Sequence, residues 1–489
     1  MYVCRRVVAV LVSLSALIPG SLAAQGYRGE ARGTAMYLQL QTAVRDSLPE
    51  SQVAGDGARR RLPDGTIVRC TPNDFCRWYR SGPVEGIPVA TQEVRFTVWP
   101  GVRGLSASFD ILTRFGTDSF WPRSDQEFDF IKGYVSYDRS KFRARAGRIF
   151  ANNPLGVYNY DGASFLWRGF KPLRAEVFGG WYLAPNVDAS YTSSVFTSAE
   201  LIPPEQGGLL IGFDLGVQAG RTFSGDIIYQ RVVRTDPVQV YSERFGLSAR
   251  AILGSASIDA AATYDLAYTE FNNALLRLNY PISRSVEIGL QARHYQPFFE
   301  LWSIWGAFTP VGFNEGLASV AWRIPTAGLL LELGGAYRTY EETDVSVDFA
   351  NVLDYGWRAF GSINWTSAVW FGTLAYRAET GFGASRYGGD LRFGRSFSAG
   401  TFVALRGSST QTFAEFRIGE QFVTGGALEG AYRMKDWSLN GSAGVYRVSY
   451  ENRPQDQNWT QPRFDLSVSY LFGHEPASRP RVSAMEAYR

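Results

Sequence analysis

The chain has 489 residues, of which 15% are aromatic and 51 are glycine. Its 49 basic and 46 acidic residues nearly balance, which argues against a nucleic-acid partner, because proteins that bind nucleic acid carry a marked positive excess. Many Trp and Tyr residues combined with many turn-forming glycines favour a membrane-boundary protein built from strands over a helical one.

The N-terminus has the pattern of an export signal. Residues 1–6 are basic, residues 7–18 are apolar, and the small residues around Ala23 and Ala24 form a cleavage site. This predicts a cleaved signal peptide over residues 1–24, since a retained membrane helix would need about 20 apolar residues. Cys70 and Cys76 remain in the exported chain as a pair, which predicts a disulfide, with two free thiols as the alternative.

About 22 strand-like segments follow between residues 31 and 472, and none has the pattern of an amphipathic helix. The first covers residues 31–45, and a long insertion over residues 46–90 carries the two cysteines. Residues 91–99 return toward a tight turn, and paired segments then continue to residue 450. In residues 207–219, for example, Leu209 and Ile211 alternate with Gly212 and Asp214, so that one face is apolar and the other polar.

The last regular segment, residues 464–472, has the same alternation and predicts a closing strand. The apolar and aromatic parity contains Phe464, Leu466, Val468, Tyr470 and Phe472. The other parity contains Asp465, Ser467 and Ser469. This strand is expected to pair with the first one, because a sheet in hydrocarbon has to satisfy every backbone polar group by closing on itself.

The connections alternate in length, and this predicts the fold class. Every second connection is tight, and the others include all the long ones, as in outer-membrane barrels. We therefore predict an all-β, transmembrane antiparallel up-and-down β-barrel of about 22 strands, with 18–24 possible. The barrel is expected over residues 25–472, with an extracellular loop over 46–90, a periplasmic tail over 473–489 and too few residues before the first strand for a plug domain.

Aromatic residues gather where the predicted strands meet the tight turns, as in the aromatic girdle of a membrane barrel. Buried core aromatics, the alternative, would show no preference for one end. The girdle residues are Trp99, Tyr137, Phe142, Trp167, Phe223, Trp322, Trp365, Trp370, Trp437 and Phe472.

The polar parity of the strands carries many charges, which predicts a hydrated interior. These side chains either line a path for polar solutes or pair across strands and stiffen the wall, and both roles are compatible for the set. The lumen-lining candidates are Arg143, Arg145, Arg174, Arg250, Arg277, Arg293, Arg338, Arg358, Arg392, Asp110, Glu176, Asp214, Glu287 and Glu332. The segment 46–90 is the candidate for a loop that restricts the lumen, or it forms an external cap.

Catalytic and metal-binding patterns are missing from the sequence. Of the two histidines, His294 lies on the outward parity of its strand and His474 lies in the tail. No cysteine or histidine spacing suggests zinc. We therefore predict neither an enzyme, nor a bound metal, nor a cofactor.

One stretch has a family resemblance. Gly147-Arg148, then Pro154 and Gly156, then Tyr160-Asp161-Gly162-Ala163 resemble a pattern in outer-membrane porins, including alginate-export-like barrels, over about residues 143–181. The resemblance implies a channel in the outer membrane of a Gram-negative bacterium, with an arginine-rich lumen. The predicted strand number is higher than that family would lead one to expect.

These observations predict an outer-membrane channel for the passive passage or export of polar solutes. Its expected partners are outer-membrane lipid, lipopolysaccharide and the barrel-assembly machinery, without nucleic acid. The alternative function is a surface receptor or a structural barrel whose lumen is closed by its loops.

Overall fold

A computed structural model of the protein describes residues 26–55, 59–63, 67–70, 75–116, 128–183, 208–235, 238–266, 269–296, 312–340, 355–381, 387–398, 400–412, 421–450 and 458–474. The predicted signal peptide and residues 475–489 of the predicted tail lie outside these residues, whereas Gly473 and His474, predicted as tail, belong to the last strand. The strands are β1 (Gly26–Pro49), β2 (Arg59–Arg61), β3 (Ile67–Cys70), β4 (Phe75–Trp99), β5 (Leu105–Gly116), β6 (Phe128–Asp138), β7 (Phe142–Asn153), β8 (Gly156–Phe170), β9 (Leu173–Leu183), β10 (Gly208–Ala219), β11 (Phe223–Thr235), β12 (Val238–Leu253), β13 (Ala256–Asp265), β14 (Glu270–Pro281), β15 (Val286–Tyr295), β16 (Phe313–Ile324), β17 (Leu329–Tyr340), β18 (Tyr355–Thr366), β19 (Trp370–Glu379), β20 (Tyr387–Ser398), β21 (Thr401–Thr412), β22 (Gln421–Met434), β23 (Trp437–Tyr450) and β24 (Trp459–His474). Two single-turn 3₁₀ helices, Glu50–Gln52 and Pro325–Ala327, complete the regular elements.

The strands form one closed antiparallel barrel. Each wall strand pairs with the next along the chain, and β24 pairs with β1 to complete the ring. The two short strands β2 and β3 lie outside the ring, so the 24 described strands give 24 − 2 = 22 wall strands. The predicted fold class and strand number are confirmed. Among the described residues, no helix is long and apolar enough to cross a membrane.

The two ends of the barrel differ in their connections. At one end, called here the short-turn end, consecutive strands are joined by two to five residues. The opposite end, called the long-loop end, has all the longer connections together with three short ones, between β7 and β8, β11 and β12, and β13 and β14. In outer-membrane barrels the short turns face the periplasm and the long loops face outward.

The two faces of the wall differ in chemistry. The outer face exposes apolar side chains such as Leu333, Leu405 and Val177, which are 70%, 64% and 57% exposed. Trp167 and Trp322 expose 42% and 49% of their surface on this face near the short-turn end. In water this apolar band would be a large unfavourable surface, whereas hydrocarbon accepts it. The protein is therefore an outer-membrane barrel.

The closing seam between β1 and β24 is held by aromatic rings at the short-turn end. The Trp437 and Tyr470 ring centroids are 4.5 Å apart, and the Phe472 centroid lies 6.0 Å from those of both Tyr470 and Phe96. Gly29 lies opposite Phe472, and its missing side chain leaves room for the Phe472 ring. The strand predicted to close the barrel does so, in a register that depends on this glycine.

We expect Gly29→Val to lower the free energy of unfolding by about 1–3 kcal/mol, because a side chain at this position displaces the Phe472 ring from the seam. Gly33→Ala is the matched control, since Gly33 has the same parity on β1 and nothing lies within 4 Å of an added Cβ. The measurement is urea unfolding of the barrel in lipid vesicles. Equal stability of the two variants would contradict this role of Gly29.

The segment 46–90 differs from the predicted loop, because much of it is strand. β1 and β4 pair from Gly26–Trp99 to Pro49–Phe75. In contrast, the pairing of β24 with β1 ends at Leu38, and the pairing of β5 with β4 ends at Val89. The part of β1 and β4 beyond these points is a two-stranded ribbon about 36 Å long. A register shift between Gln41 and Ala43 interrupts the ladder near its base. We call residues 39–49 and 75–88 the ribbon, and the sheet formed at its end with β2 and β3 the tip.

The tip contains the predicted disulfide, Cys70–Cys76. Both cysteines are buried with Val53 and Val68 in a small apolar core. We expect Cys70→Ser to destabilise the tip by about 2 kcal/mol, from the loop-closure entropy of a six-residue separation. Limited proteolysis should then cut the tip faster while the barrel stays intact. An unchanged cutting rate would show that the apolar core suffices without the disulfide.

Candidate functional site: the inner wall of the barrel

The inner face carries the side chains that could contact a solute. Strand alternation puts Asp214 and Leu210 of β10 on the inner face, and both are buried, while Leu209 and Leu215 point outward and are exposed. The same alternation puts every predicted lumen-lining residue on the inner face. These residues differ in whether their charges are paired with opposite charges.

Ion pairs across neighbouring strands dominate between β4 and β13. Asp110 of β5 lies 3.3 Å from Arg95 and 3.7 Å from Lys132. The other pairs in this part of the wall are Arg143–Glu176 at 3.6 Å, Arg174–Asp214 at 3.8 Å, Arg174–Asp226, and Arg250–Asp259 at 3.6 Å. The main role of these residues is to stabilise the wall, since each opposite charge lies on an adjacent or next-nearest strand.

A second charged cluster is centred on Glu315 of β16. Arg338 Nε donates to Glu315 Oε2 at 2.5 Å, and Arg358 Nη2 donates to Glu315 Oε1 at 3.0 Å. Arg293 is directly opposite Glu315 in the ladder and lies over the Tyr295 ring at 4.6 Å. Only 2% of the Glu315 side chain is exposed. One buried carboxylate thus holds two guanidinium groups, with a third beside it.

Sequence reasoning named the three arginines of this cluster but not Glu315. The signal was available, because Glu315 has the same strand parity as Arg323, which continues along the inner face of β16.

The remaining predicted arginines bind neutral groups or aromatic rings as well as carboxylates. Arg277 donates to Gln291 Oε1 at 2.9 Å, and Arg145 lies 5.3 Å from the Tyr134 ring centroid. Arg392 donates to Glu429 Oε2 at 2.9 Å and lies over the Phe402 ring at 5.0 Å. Rings of this kind hold a guanidinium in place without neutralising it.

Glu287 and Glu332 behave differently from the paired carboxylates. Both are exposed on the inner face, and neither has an ion-pair partner among the described residues. They lie at the same level of the wall, because both are opposite Ala321 in the ladder, on either side of β16. A carboxylate in this position requires water around it, since an unpaired charge is strongly disfavoured in a dry interior.

A short turn packs against the inner face of the wall and narrows the described part of the lumen. We call residues 153–156, which join β7 to β8, the inward turn. The Leu155 amide donates to Asn153 Oδ1 at 2.9 Å, and the Leu155 side chain is buried. A Cβ added to Gly246 of β12 would lie 2.9 Å from Leu155 Cδ2 and 2.9 Å from Ile228 Cγ2. The inward turn therefore crosses the inner faces of β9, β10 and β11.

An apolar cluster on the inner face holds the inward turn. Its members all come from β7 to β11 or from the turn itself: Ile149, Leu155, Tyr158, Tyr160, Tyr182, Leu210, Ile228 and Val232. Sequence reasoning treated the inner face as polar throughout, and this cluster corrects that expectation. The apolar inner residues need a cover, and the inward turn supplies part of it.

The residues behind the porin-like resemblance have structural roles. Gly147 and Gly162 are directly opposite in the ladder, and a Cβ on either would overlap the backbone of a neighbouring strand. On the outer face, Arg148 Nε and Nη2 donate to the two carboxylate oxygens of Asp161 at 2.7 and 2.8 Å. The motif thus joins two strands at close range, through their backbones and one bidentate ion pair.

Two further sequence expectations concern chemistry that could act on a ligand. His294 lies on the outer face, where its Nδ1 is 2.8 Å from Asn314 Oδ1 and its Nε2 is 3.1 Å from the Phe271 carbonyl oxygen. In the described part of the chain, no group of three or more His, Cys, Asp or Glu residues is arranged to hold a metal ion.

No protein-family model matches the chain, and no curated protein matches it. Among solved structures it is similar to OccK8 (OprE) of Pseudomonas aeruginosa, with 9% identity, a TM-score of 0.40, and 92% of this chain and 98% of that chain covered. It is similar to OccAB4 of Acinetobacter baumannii, with 10% identity, a TM-score of 0.40, and coverage of 93% and 100%. The P pilus usher (PapC) translocation pore has 10% identity, a TM-score of 0.42, and coverage of 91% and 99%. At these values the likeness is one of barrel fold alone.

Proposed function

We propose that this barrel is a channel that lets polar solutes cross the outer membrane. The observation that supports it most is the set of charges on the inner face that remain in contact with solvent. Side-chain exposure is 60% for Arg250, 51% for Arg95 and 55% for Asp390. Charges exposed inside a barrel require a water-filled interior, and such an interior is a path for solutes that are themselves polar.

The size of the barrel supports the same proposal. Barrels of 16–18 strands already leave an aqueous channel, and wider ones conduct freely unless a domain or loops fill them. The inward turn narrows this lumen on the side of β9 to β12, while Glu287, Glu332 and Arg377 stay exposed farther around the wall, on β15, β17 and β19. We infer that the solute path runs along the wall formed by β14 to β19.

The predicted lumen-lining residues then fall into two groups with different roles. Arg277, Arg293, Glu287, Glu332 and Arg392 would line the path, since they lie on or beside the wall from β14 to β19. Arg143, Arg174, Glu176 and Asp214 would stiffen the wall near the inward turn through their mutual ion pairs. No residue has a catalytic role in this proposal.

The same proposal includes the export, location and assembly of the protein. We infer that residues 1–24 are removed on export, that the ribbon and its tip lie outside the cell, and that residues beyond His474 extend into the periplasm. The apolar outer band and the closing strand support the proposal that the barrel-assembly machinery inserts the protein and that it contacts lipopolysaccharide. A porin-like relationship is supported only by the resemblance around Gly147 and Gly162.

Conductance in planar lipid bilayers tests the channel. The purified protein is expected to produce discrete current steps in a simple salt, with a reversal potential in a salt gradient that reports its ion preference. A barrel that inserts and remains heat-modifiable on gels, yet never conducts, would overturn the proposal. That outcome would favour the alternative of a receptor or structural barrel with a closed lumen.

A further inference from the structure

The end of the β7–β8 hairpin is joined to the rest of the wall by side chains and not by a backbone ladder. In the described part of the chain, the ladder from β6 to β7 ends at Arg148, and the ladder from β9 to β8 ends at Asn159. Residues 149–158, which we call the hairpin end, form ladder pairs only within their own hairpin. A two-stranded segment without lateral neighbours is only marginally stable alone, so its position depends on what its side chains contact.

The hairpin end lies against the inner face of the wall through a few apolar side chains. Ile149, Leu155 and Tyr158 belong to the same apolar cluster as Leu210 and Ile228 of the wall. Of the four residues of the inward turn, Leu155 alone is buried. The hairpin end can therefore leave the wall by losing these side-chain contacts, without breaking a ladder between neighbouring strands.

A buried glutamine lies within the part of the wall that receives the hairpin end. Gln230 is between Ile228 and Val232 on the inner face of β11, and it is only 1% exposed. Neither its amide nitrogen nor its amide oxygen has a hydrogen-bond partner among the described residues. The adjacent ladder pair, Ile228–Gly246, is the one against which Leu155 packs.

The burial of this amide opposes the docked position of the hairpin end. An amide exposed to water is hydrogen-bonded to solvent, and burial without a partner removes those hydrogen bonds at a cost in free energy. The apolar contacts of Leu155 favour docking, whereas the Gln230 amide favours a position of the hairpin end in which water reaches it. Because both effects act on one small contact, the docked and released positions are close in free energy.

We propose that the hairpin end is a gate of the solute path, and that Gln230 sets how often this gate opens. In the narrow state the hairpin end is docked on the inner face, and in the wide state it is released while every wall ladder stays intact. The unmodified protein occupies both states. This inference rests on the proposed channel function, and it adds that one hairpin regulates the width of the channel.

The test replaces Gln230 with methionine, whose side chain is similar in length and shape but is apolar. The matched control is Gln218→Met, since Gln218 lies on the inner face of the neighbouring strand β10 but is exposed. Single-channel recording of the purified protein in planar lipid bilayers gives the occupancy of the narrow and wide levels. Hydrogen–deuterium exchange with mass spectrometry measures the opening of residues 149–158 without any current.

We expect the unmodified protein to alternate between two conductance levels. Gln230→Met should lower the ratio of wide to narrow occupancy about fivefold or more, because the buried methionine lacks the hydrogen-bonding groups that docking leaves without partners. Exchange at residues 149–158 should slow by a similar factor, since these amides exchange from the released position. Gln218→Met should change neither readout, and Leu155→Ala should shift both in the opposite direction.

Two results would overturn the gate. In the first, Gln230→Met leaves both the level occupancy and the exchange rate unchanged, so that the amide does not oppose docking. In the second, residues 149–158 of the unmodified protein exchange as slowly as the paired strands below them, so that the hairpin end is a fixed part of the wall. A barrel that never conducts would instead contradict the proposed channel, and the exchange rates of the variants would still decide the docking equilibrium.

Discussion

Glu315→Gln is expected to lower the free energy of unfolding of the barrel by about 3 kcal/mol. The substitution removes the negative charge that holds Arg338 and Arg358, while the site around it stays buried. Breaking a buried ion pair by removing one partner costs about 3–5 kcal/mol. We expect the lower part of that range, because the two arginine side chains are 17% and 26% exposed and water screens them in part.

Urea unfolding in lipid vesicles, followed by tryptophan fluorescence, measures this loss. Glu332→Gln is the matched control, since Glu332 lies on the inner face of the neighbouring strand β17 but is exposed and has no described ion-pair partner. The control should change stability by less than about 0.5 kcal/mol. The combined variant Glu315→Leu/Arg338→Met/Arg358→Met should recover much of the loss, because it removes all three charges together. Equal effects of the two glutamine variants would contradict the central role of Glu315.

Leu155→Ala is expected to release the inward turn and enlarge the conducting path. Removing most of a buried leucine side chain costs about 2–5 kcal/mol. Here this loss destabilises the docked position of the inward turn. A cost of 2 kcal/mol reduces the docked population about 30-fold relative to the released one. The barrel itself keeps its ladders, since Leu155 belongs to no strand.

Single-channel recording detects the release as a larger conductance or as frequent transitions to a larger level. Gly246→Val is a second variant with the same expected result, because its side chain would occupy the space of the Leu155 methyl groups. Leu333→Ala is the control, as this leucine is 70% exposed on the outer face and lies far from the lumen. Conductance that stays the same in both lumen variants would show that the inward turn does not limit the path.

The fold could be predicted from the sequence to a large extent, because its main signal is local. Residues 464–472 alternate between apolar and polar side chains, and a period of two can be detected within a few residues. The alternation of short and long connections also predicted that consecutive strands are antiparallel neighbours. The limits of the first strand were less accurate, since β1 continues to Pro49 within a segment predicted as loop.

The sequence predicts which face of the sheet carries the site residues, but it does not predict which of these residues pair with one another. Arg338 and Arg358 were assigned to the inner face by parity alone, yet the carboxylate that they share is 23 and 43 residues away along the chain. Whether a charge is paired depends on the register of neighbouring strands. Register depends on each turn and on bulges such as the one between Asp110 and Ile111.

The sequence by itself determined that this protein is an outer-membrane barrel with an apolar outer face, a charged inner face and a cysteine pair outside the wall. Only the tertiary structure decided that Leu155 packs on the inner face beside Gly246, and that Arg338 and Arg358 share the carboxylate of Glu315. The physical reason is that side-chain direction repeats every two residues along one strand. Neighbours across strands are instead set by hydrogen-bonded register and by the path of turns, which one strand cannot encode.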